Sequence, residues 1–281
     1  MPVIATNTSA NSALTYLNRN SEDQAKSLSK LSSGSRIVVA SDDAAGLAVA
    51  NGLQADITTL QQASRNALQG RAVMQTADGA LSRIGDILQR IKSLVAQSSS
   101  GSVDGTSRGF IQQEADQLIS EIDAIADQTS FNGASLIDGS FNESFLVGVD
   151  SADTIDIDLS AGADLIDANI AALNVESADI VIGAGSDAPD RANAMTAVDS
   201  AIDDISGFRA TVGSFISRFE YRGEYIQTAM ENLSAAKSSI MDVDIAAEQT
   251  NLVNKQVLTE ASIAALAQAN QSKASLLSLL R

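Results

Sequence analysis

The sequence predicts a mainly α protein: an elongated rod of long antiparallel helices, with coiled-coil-like terminal arms and a small β-hairpin element. Three observations lead there. Helix breakers are sparse at the ends: Pro occurs only at Pro2 and Pro189, no Gly falls between Met1 and Ser33, and neither type occurs from Glu224 to Arg281, so nothing in those runs forces a break. As one helix the last run would span roughly 87 Å at 1.5 Å per residue, whereas a compact globule of this length is about 50 Å across. Apolar residues in both arms recur at spacings of three and four, and period-two alternation is confined to one short stretch.

The elements follow in chain order. In the N-terminal arm Leu14, Leu17, Leu28 and Leu31 form a heptad-like stripe, with Ser21 and Gln24 in the intervening seam positions. A long helix is expected over Asp43–Gln97, entered through "SDDAAG" with Asp42 or Asp43 as its N-cap. It carries Leu47, Leu53, Ile57, Leu60, Leu68, Leu81, Ile84, Leu88 and Ile91 at helical spacing. Its internal Gly46, Gly52, Gly70, Gly79 and Gly85 each cost up to ~1 kcal/mol against Ala, so they predict close helix packing or a break in the middle. A further helix is expected over Phe110–Gln128.

Next, "SFLVGV" and "TIDIDLS" flank "DSAD". Ile155, Ile157 and Leu159 alternate with Asp156 and Asp158, which predicts a hairpin near 144–160 with one wet face. "DIDLSAGADLID" faintly resembles a calcium loop, but Ala161 stands where the sharp turn needs Gly and Asp167 replaces the bidentate Glu, so no metal is expected. In the C-terminal arm Ile245, Leu252, Ile263, Leu266, Leu277 and Leu280 share a stripe interrupted by Gln256, Asn270 and Lys273. Val253, Val257, Ala261 and Ala264 occupy a second side. A break is expected within "IMDVDIAAEQ", where Asp242 or Asp244 N-caps a second segment. A helix apolar nearly all round must be covered on all sides, and one partner arm cannot do it. The last turn, with Leu276, Leu277, Leu279 and Leu280, must either dock on its own domain or await a partner, since a buried pair of leucines is worth roughly 3–6 kcal/mol.

Composition narrows the function. The chain of 281 residues has no Cys and no His, which removes Cys–His and Ser–His–Asp nucleophiles, zinc sites and any histidine base. Carboxylate-only or Lys-based catalysis stays open, but an enzyme is not expected, nor a cofactor. The net charge of −17 makes nucleic acid a poor partner, because phosphate binding needs clustered Lys and Arg. Between Gly139 and Asp190 there are eleven acidic residues and no Lys or Arg, a solvated, self-repelling segment. No stretch approaches the ~20 apolar residues of a membrane helix. The start "MPVIATNTSANSAL" has neither a basic n-region nor an apolar h-region, so no secretory signal is expected.

Six stretches taken together resemble bacterial flagellin: "LSSGSRIVVASDDAAGLAVA" (31–50), "QASRNALQG" (62–70), "QTADGAL" (75–81), "EIDAIADQTSFNG" (121–133), "NLSAAKSSIMDVDIAAE" (232–248) and "LAQANQSKASLLSLLR" (266–281). The resemblance covers about 1–140 and 190–281. It implies arms at 1–42 and 241–281 that form an inner coiled-coil layer, and a rod domain at 43–240. It also implies a short variable insert near 177–190 in place of the usual outer domains. The arms would order on assembly, so that neighbouring subunits cover the terminal leucines, and heterologous contacts that do not close give an open helical polymer. The polymerisation residues so implied are Leu14, Leu17, Leu28, Leu31, Leu252, Ile263, Leu266, Leu277 and Leu280.

The resemblance further implies an extracellular place in the flagellar filament, reached through the flagellar type III export system without a cleaved signal peptide. Its partners would be other flagellin subunits, an export chaperone, and the filament cap and hook-junction proteins. For a vertebrate Toll-like receptor, the family pattern maps onto Arg90 and Leu94 of "LQRIKSLVAQ" and Glu114 of "IQQEADQL", although Ser93 stands where an acidic residue is usual. The expected function is the filament subunit used for motility. The alternatives are a hook–filament junction protein, or a cell-surface binding protein on the same scaffold, which would need an aromatic-lined groove although aromatics are only 4% of the chain.

Overall fold

The computed structural model describes residues 7–159, 182–183 and 188–278, with only the backbone described at 188–189 and 276–278. Five helices are present among the described residues: α1 (Thr8–Ser33), α2 (Ala44–Ser98), α3 (Gly105–Gln128), α4 (Ala188–Met241) and α5 (Ile245–Ser278). Four short strands lie among the described residues between α3 and α4: β1 (Ser130–Phe131), β2 (Ala134–Ser135), β3 (Asn142–Leu146) and β4 (Thr154–Asp158). The chain divides into two compact units, Met1–Ile57 with Glu231–Arg281, and Thr58–Met230.

In the second unit the long helices carry a period of 3.5 residues. On α2 the buried positions Leu60, Ala63, Ala67, Gly70, Met74, Ala77, Leu81, Ile84, Leu88, Ile91, Val95 and Ser98 advance by three and four in strict alternation, the spacing of a coiled-coil seam. On α4 Ala194, Val198, Ala201, Ile205, Phe208, Val212, Phe219 and Ile226 are buried on the same repeat. Ion pairs fix the pairing of the two helices: Arg71–Glu220 at 3.3 Å, Arg209–Asp78 at 2.9 Å and Lys92–Asp199 at 2.5 Å. Partner numbers fall on one helix as they rise on the other, so the helices run antiparallel. The third helix adds Ile111, Ala115, Ile119, Ile122 and Ala126 to this core.

The glycines do not break α2. Gly70 lies on the seam, where a Cβ would come 2.5 Å from Cζ of the buried Phe219; the missing side chain is the space the ring occupies. Phe219 in turn meets Phe145 of β3 edge-on, with ring centroids 5.7 Å apart. Two polar side chains hold the hairpin there. Arg222 donates from Nε to the Val147 carbonyl at 3.1 Å and from Nη2 to Asp153 at 2.9 Å, and Asn66 donates to the Leu146 carbonyl at 2.9 Å.

The β3–β4 hairpin pairs Phe145 with Ile155 and Glu143 with Ile157. Ile155, Ile157 and Leu159 are buried while Asp156 and Asp158 are exposed, which is the expected wet and dry alternation. A second hairpin, β1–β2, was not expected. Asn132 (φ 52°) and Gly133 (φ 84°) turn it, and consecutive positive φ values suit Asn-Gly in a two-residue hairpin loop.

Helix boundaries differ from expectation in two places. The third helix begins at Gly105, because Asp104 accepts from the Ser107 amide at 3.1 Å and caps it five residues early. The fourth helix extends back to Ala188 through Gly207, Gly213 and Gly223, since its buried heptad outweighs glycine propensities of ~1 kcal/mol each. The break expected within "IMDVDIAAEQ" is present: α4 ends at Met241, and Asp244 accepts from the amides of Ala246 and Ala247 at 3.0 and 3.1 Å and starts α5. The insert expected near 177–190 and the end of the calcium-like stretch lie outside the described residues, apart from 182–183 and the first turn of α4.

Candidate functional site

In the first unit α1 starts at Asn7, whose side chain accepts from the Ala10 amide at 3.0 Å, and ends at Gly34. α2 starts at Asp43, which accepts from the Gly46 amide at 2.8 Å. The neighbouring Asp42 turns back instead, accepting from Val38 and Val39. Those amides, Val39 first, hold its carboxyl below the usual carboxylate range. The linker between α1 and α2 is stapled to the end of α4. The Arg36 guanidinium donates twice to the Ile240 carbonyl, at 3.1 and 2.8 Å, and its amide donates to Met241. Val243 donates to Gly34, and the Ser35 hydroxyl donates to Met241. A cation there answers the orphan carbonyls and negative dipole end of α4.

α1 and α5 pair antiparallel. Asn7 donates to the Ala269 carbonyl at 3.2 Å, Asn20 to the Ser262 hydroxyl at 3.4 Å, and Lys255 to Asp23 at 2.7 Å. The covered positions again step by three and four. On α1 they are Ala10, Ala13, Leu17, Asn20, Gln24, Ser27 and Leu31; on α5 they are Glu248, Leu252, Lys255, Thr259, Ser262, Leu266, Ala269 and Lys273. Of these only Leu17, Leu31, Leu252 and Leu266 are large and apolar. The seam within the chain is therefore mostly small or polar.

The remaining apolar residues face outward. Leu14 (43% exposed) and Leu28 (58%) stand one position off the α1 seam. Ile245, Val253, Val257, Leu258 and Ile263 of α5 are all exposed, between 46% and 65%. The residues expected on each arm's stripe thus divide: Leu17, Leu31, Leu252 and Leu266 turn toward the partner helix, whereas Leu14, Leu28 and Ile263 do not. The side chains of Leu277 and Leu280 lie outside the described residues. Leu258 was missed by sequence reasoning, as was the Asp23–Lys255 pair; the scarcity of charge in the last 29 residues, from Val253 on, was the available signal for the latter.

The Lys255 hydrogen bond, the largest influence, lowers the Asp23 pKa. A carboxyl depressed in the folded state stabilises pairing above its unfolded value near ~3.9, and that contribution fades as pH falls through the lower folded value. Both side chains are one-third exposed, so solvent screens the pair and the effect is small. We expect Asp23→Asn to weaken α1–α5 pairing at pH 7 and to make no difference well below pH ~3. Helicity of the pure protein across that range is the measurement, and an Asn variant equal to wild type at pH 7 would contradict it.

In the second unit Arg90 and Glu114 form an ion pair at 2.6 Å with both side chains about half exposed. Leu94, expected beside them on the surface, is only 1% exposed. It belongs to the helical core, because 94 falls next to the seam position Val95, so its side chain is not offered to a partner. No group of three acidic side chains able to hold a metal ion exists among the described residues.

A surface with greasy residues outside a polar seam fits assembly rather than chemistry, and comparison with known proteins decides which assembly. A family model described as the bacterial flagellin N-terminal helical region matches residues 4–142, and one described as the bacterial flagellin C-terminal helical region matches 195–280. Flagellin of Bacillus subtilis (strain 168) is 37% identical over 299 aligned residues, covering 98% of both chains. The chain belongs to the bacterial flagellin family. Among other relatives, the flagellar filament 33 kDa core protein of Treponema phagedenis is 38% identical over 91% of this chain and 92% of its own. A crystal structure of Bacillus cereus flagellin aligns with a TM-score of 0.49 at 27% identity, covering 62% of this chain and 94% of that one. As a flagellin the chain is a structural subunit of the bacterial flagellar filament, polymerising with other flagellin subunits.

Proposed function

We propose that α1 and α5 are the polymerisation arms of this flagellin, and that the outward residues Leu14, Leu28 and Ile263, with Ile245, Val253, Val257 and Leu258, are the surface neighbouring subunits cover. The observation that carries this is the division between a polar seam and apolar outer faces. Burying a Val, Leu or Ile contributes roughly 1.5–3 kcal/mol when complete, and the lone chain leaves about half of that unrealised at each position. In this reading Leu17, Leu31, Leu252 and Leu266 hold the two arms together, and Leu277 and Leu280 extend the subunit contact. The arms at 1–42 and 241–281 form the inner layer, the region 43–240 surrounds it, and the role is structural rather than catalytic. Electron microscopy of the purified chain, seeded with filament fragments at high salt, is the test. Long filaments are expected, and a solution that stays monomeric would remove the proposal.

The same reading places the subunit outside the cell after export through the flagellar type III channel, held beforehand by an export chaperone, folded at the tip by the cap, and joined to the hook through junction proteins. What supports that route is family membership. Recognition by a vertebrate Toll-like receptor rests on the exposed Arg90–Glu114 pair, without Leu94. A reporter cell line should respond to purified monomer and lose most of that response to Arg90→Ala; equal responses would end this part of the reading.

A further inference from the structure

The face of α4 beside the β3–β4 hairpin carries Arg218, Tyr221, Arg222 and Tyr225 at positions i, i+3, i+4 and i+7. With Asp153, Thr154 and Ile155 they line a cleft of about 460 Å³. Two of the three tyrosines in the chain are here, and they are 74% and 60% exposed. Arg222 is committed to the hairpin, as described, and stacks 5.3 Å over Tyr225. Arg218 is different. It lies 5.5 Å over the Phe215 ring, and among the described residues no carboxylate pairs with it.

The chain has 35 acidic residues and 18 basic ones, and Arg218 combines a guanidinium without a carboxylate partner with two exposed tyrosines on the same cleft. Among the described residues nine cations already bind carboxylates of their own chain, Arg71, Arg90, Lys92 and Arg209 of the same unit among them. Tyr and Arg are also the residue types that dominate binding hot spots, because they bring large, rigid contact area and directed donors. In a homopolymer the surface presented to this cleft at highest local concentration is that of another copy, and that surface is strongly acidic. Subunits carrying −17 each repel one another, so an attraction between copies needs a cation not already neutralised within its own chain.

We infer that the Arg218–Tyr221–Tyr225 face is a contact between subunits that takes a carboxylate-bearing segment of a second copy. The inference rests on the assembly reading above and names one of its contacts. Arg218 donates to the neighbour's carboxylate, and the two tyrosine rings cover the aliphatic part of the same segment while their hydroxyls stay at the wet rim.

The test uses full-length protein. Arg218→Gln and a Tyr221→Ala/Tyr225→Ala variant are assembled beside wild type, with monomer helicity checked first. Each should raise the critical concentration for polymerisation roughly tenfold, the loss typical of one interface anchor. A second measurement removes dependence on these variants. Arg218→Lys is assembled from mixed ¹⁴N and ¹⁵N subunits and treated with a carbodiimide, which joins the new amine to a touching carboxylate with loss of water. Mixed-isotope peptides joining position 218 to an Asp or Glu should appear in filaments and not in monomers. Filaments that form with unchanged critical concentration and no such cross-link overturn the contact and leave the assembly reading standing. A wild-type chain that yields no filament overturns both. Monomer that instead binds a uronate polymer, loses that binding in Arg218→Gln and gives no inter-subunit cross-link assigns the cleft to an acidic glycan and overturns the contact.

Discussion

Replacing Val257 and Ile263 together by glutamate should stop polymerisation at concentrations where wild type assembles, while α1 and α5 remain paired in the monomer. Both positions lie outside the seam and are more than half exposed, at 59% and 53%. Solvent-facing substitutions of that kind change monomer stability by about 0.5 kcal/mol or less. In the polymer the same positions are covered in the proposed arrangement, so each glutamate loses apolar burial and brings a charge that must be desolvated without a partner. The first effect is worth roughly 1.5–3 kcal/mol per residue when complete, and the second adds several more unless the carboxyl protonates. Even a net loss of about 3 kcal/mol raises the critical concentration on the order of 100-fold. Pelleting of filaments against total protein reads it, with circular dichroism of the supernatant to show that the helices persist. Wild-type filament yield from the double variant would remove these faces from the interface.

Phe219→Ala should be the most damaging single change within the second unit. The ring is 2% exposed and fills the gap above Gly70 while meeting Phe145 edge-on. Removing it leaves a cavity where α2, α4 and the hairpin converge, and buried Phe→Ala changes cost about 3–5 kcal/mol. For a domain of this size that lowers Tm by roughly 6–20 °C. Gly70→Ala tests the same contact from the other side. Helix propensity alone favours Ala by up to ~1 kcal/mol, but the new methyl would lie 2.5 Å from the ring, and overpacking costs about 1–3 kcal/mol. The net sign should be destabilising. The two sites touch, so Gly70→Ala combined with Phe219→Leu should cost less than the sum of the single changes. Thermal unfolding of these variants beside wild type, with Phe219→Leu alone included, settles it, and a Gly70→Ala variant that melts higher than wild type would refute this packing.

Most local features could be read directly. Asp43 and Asp244 cap helices because their carboxylates reach the free amides two or three residues on, a relation contained in a few consecutive letters. The alternation of Ile155 and Ile157 with Asp156 and Asp158 likewise names its own wet face. The Asn132–Gly133 turn carries a signal of the same local kind, but two-residue strands are too short to show an alternation around it.

The sequence by itself determined that the ends are helical, that α5 is apolar beyond one face, that no histidine or cysteine chemistry is available, and that the chain resembles flagellin. Tertiary structure alone decided which leucines turn inward. Leu14, Leu17, Leu28 and Leu31 satisfy three- and four-residue spacing whether the seam runs through 14 and 28 or through 17 and 31. The register is set by Ala10, Ala13, Asn20, Gln24 and Ser27, residues whose size and polarity say little about burial. Only the approach of α5, with Lys255 on Asp23 and Ser262 against Asn20, selects among the rotations. Leu94 was misplaced for a similar reason: one position on a helix is 100° of rotation, and only the packed partner says which side of that angle is covered.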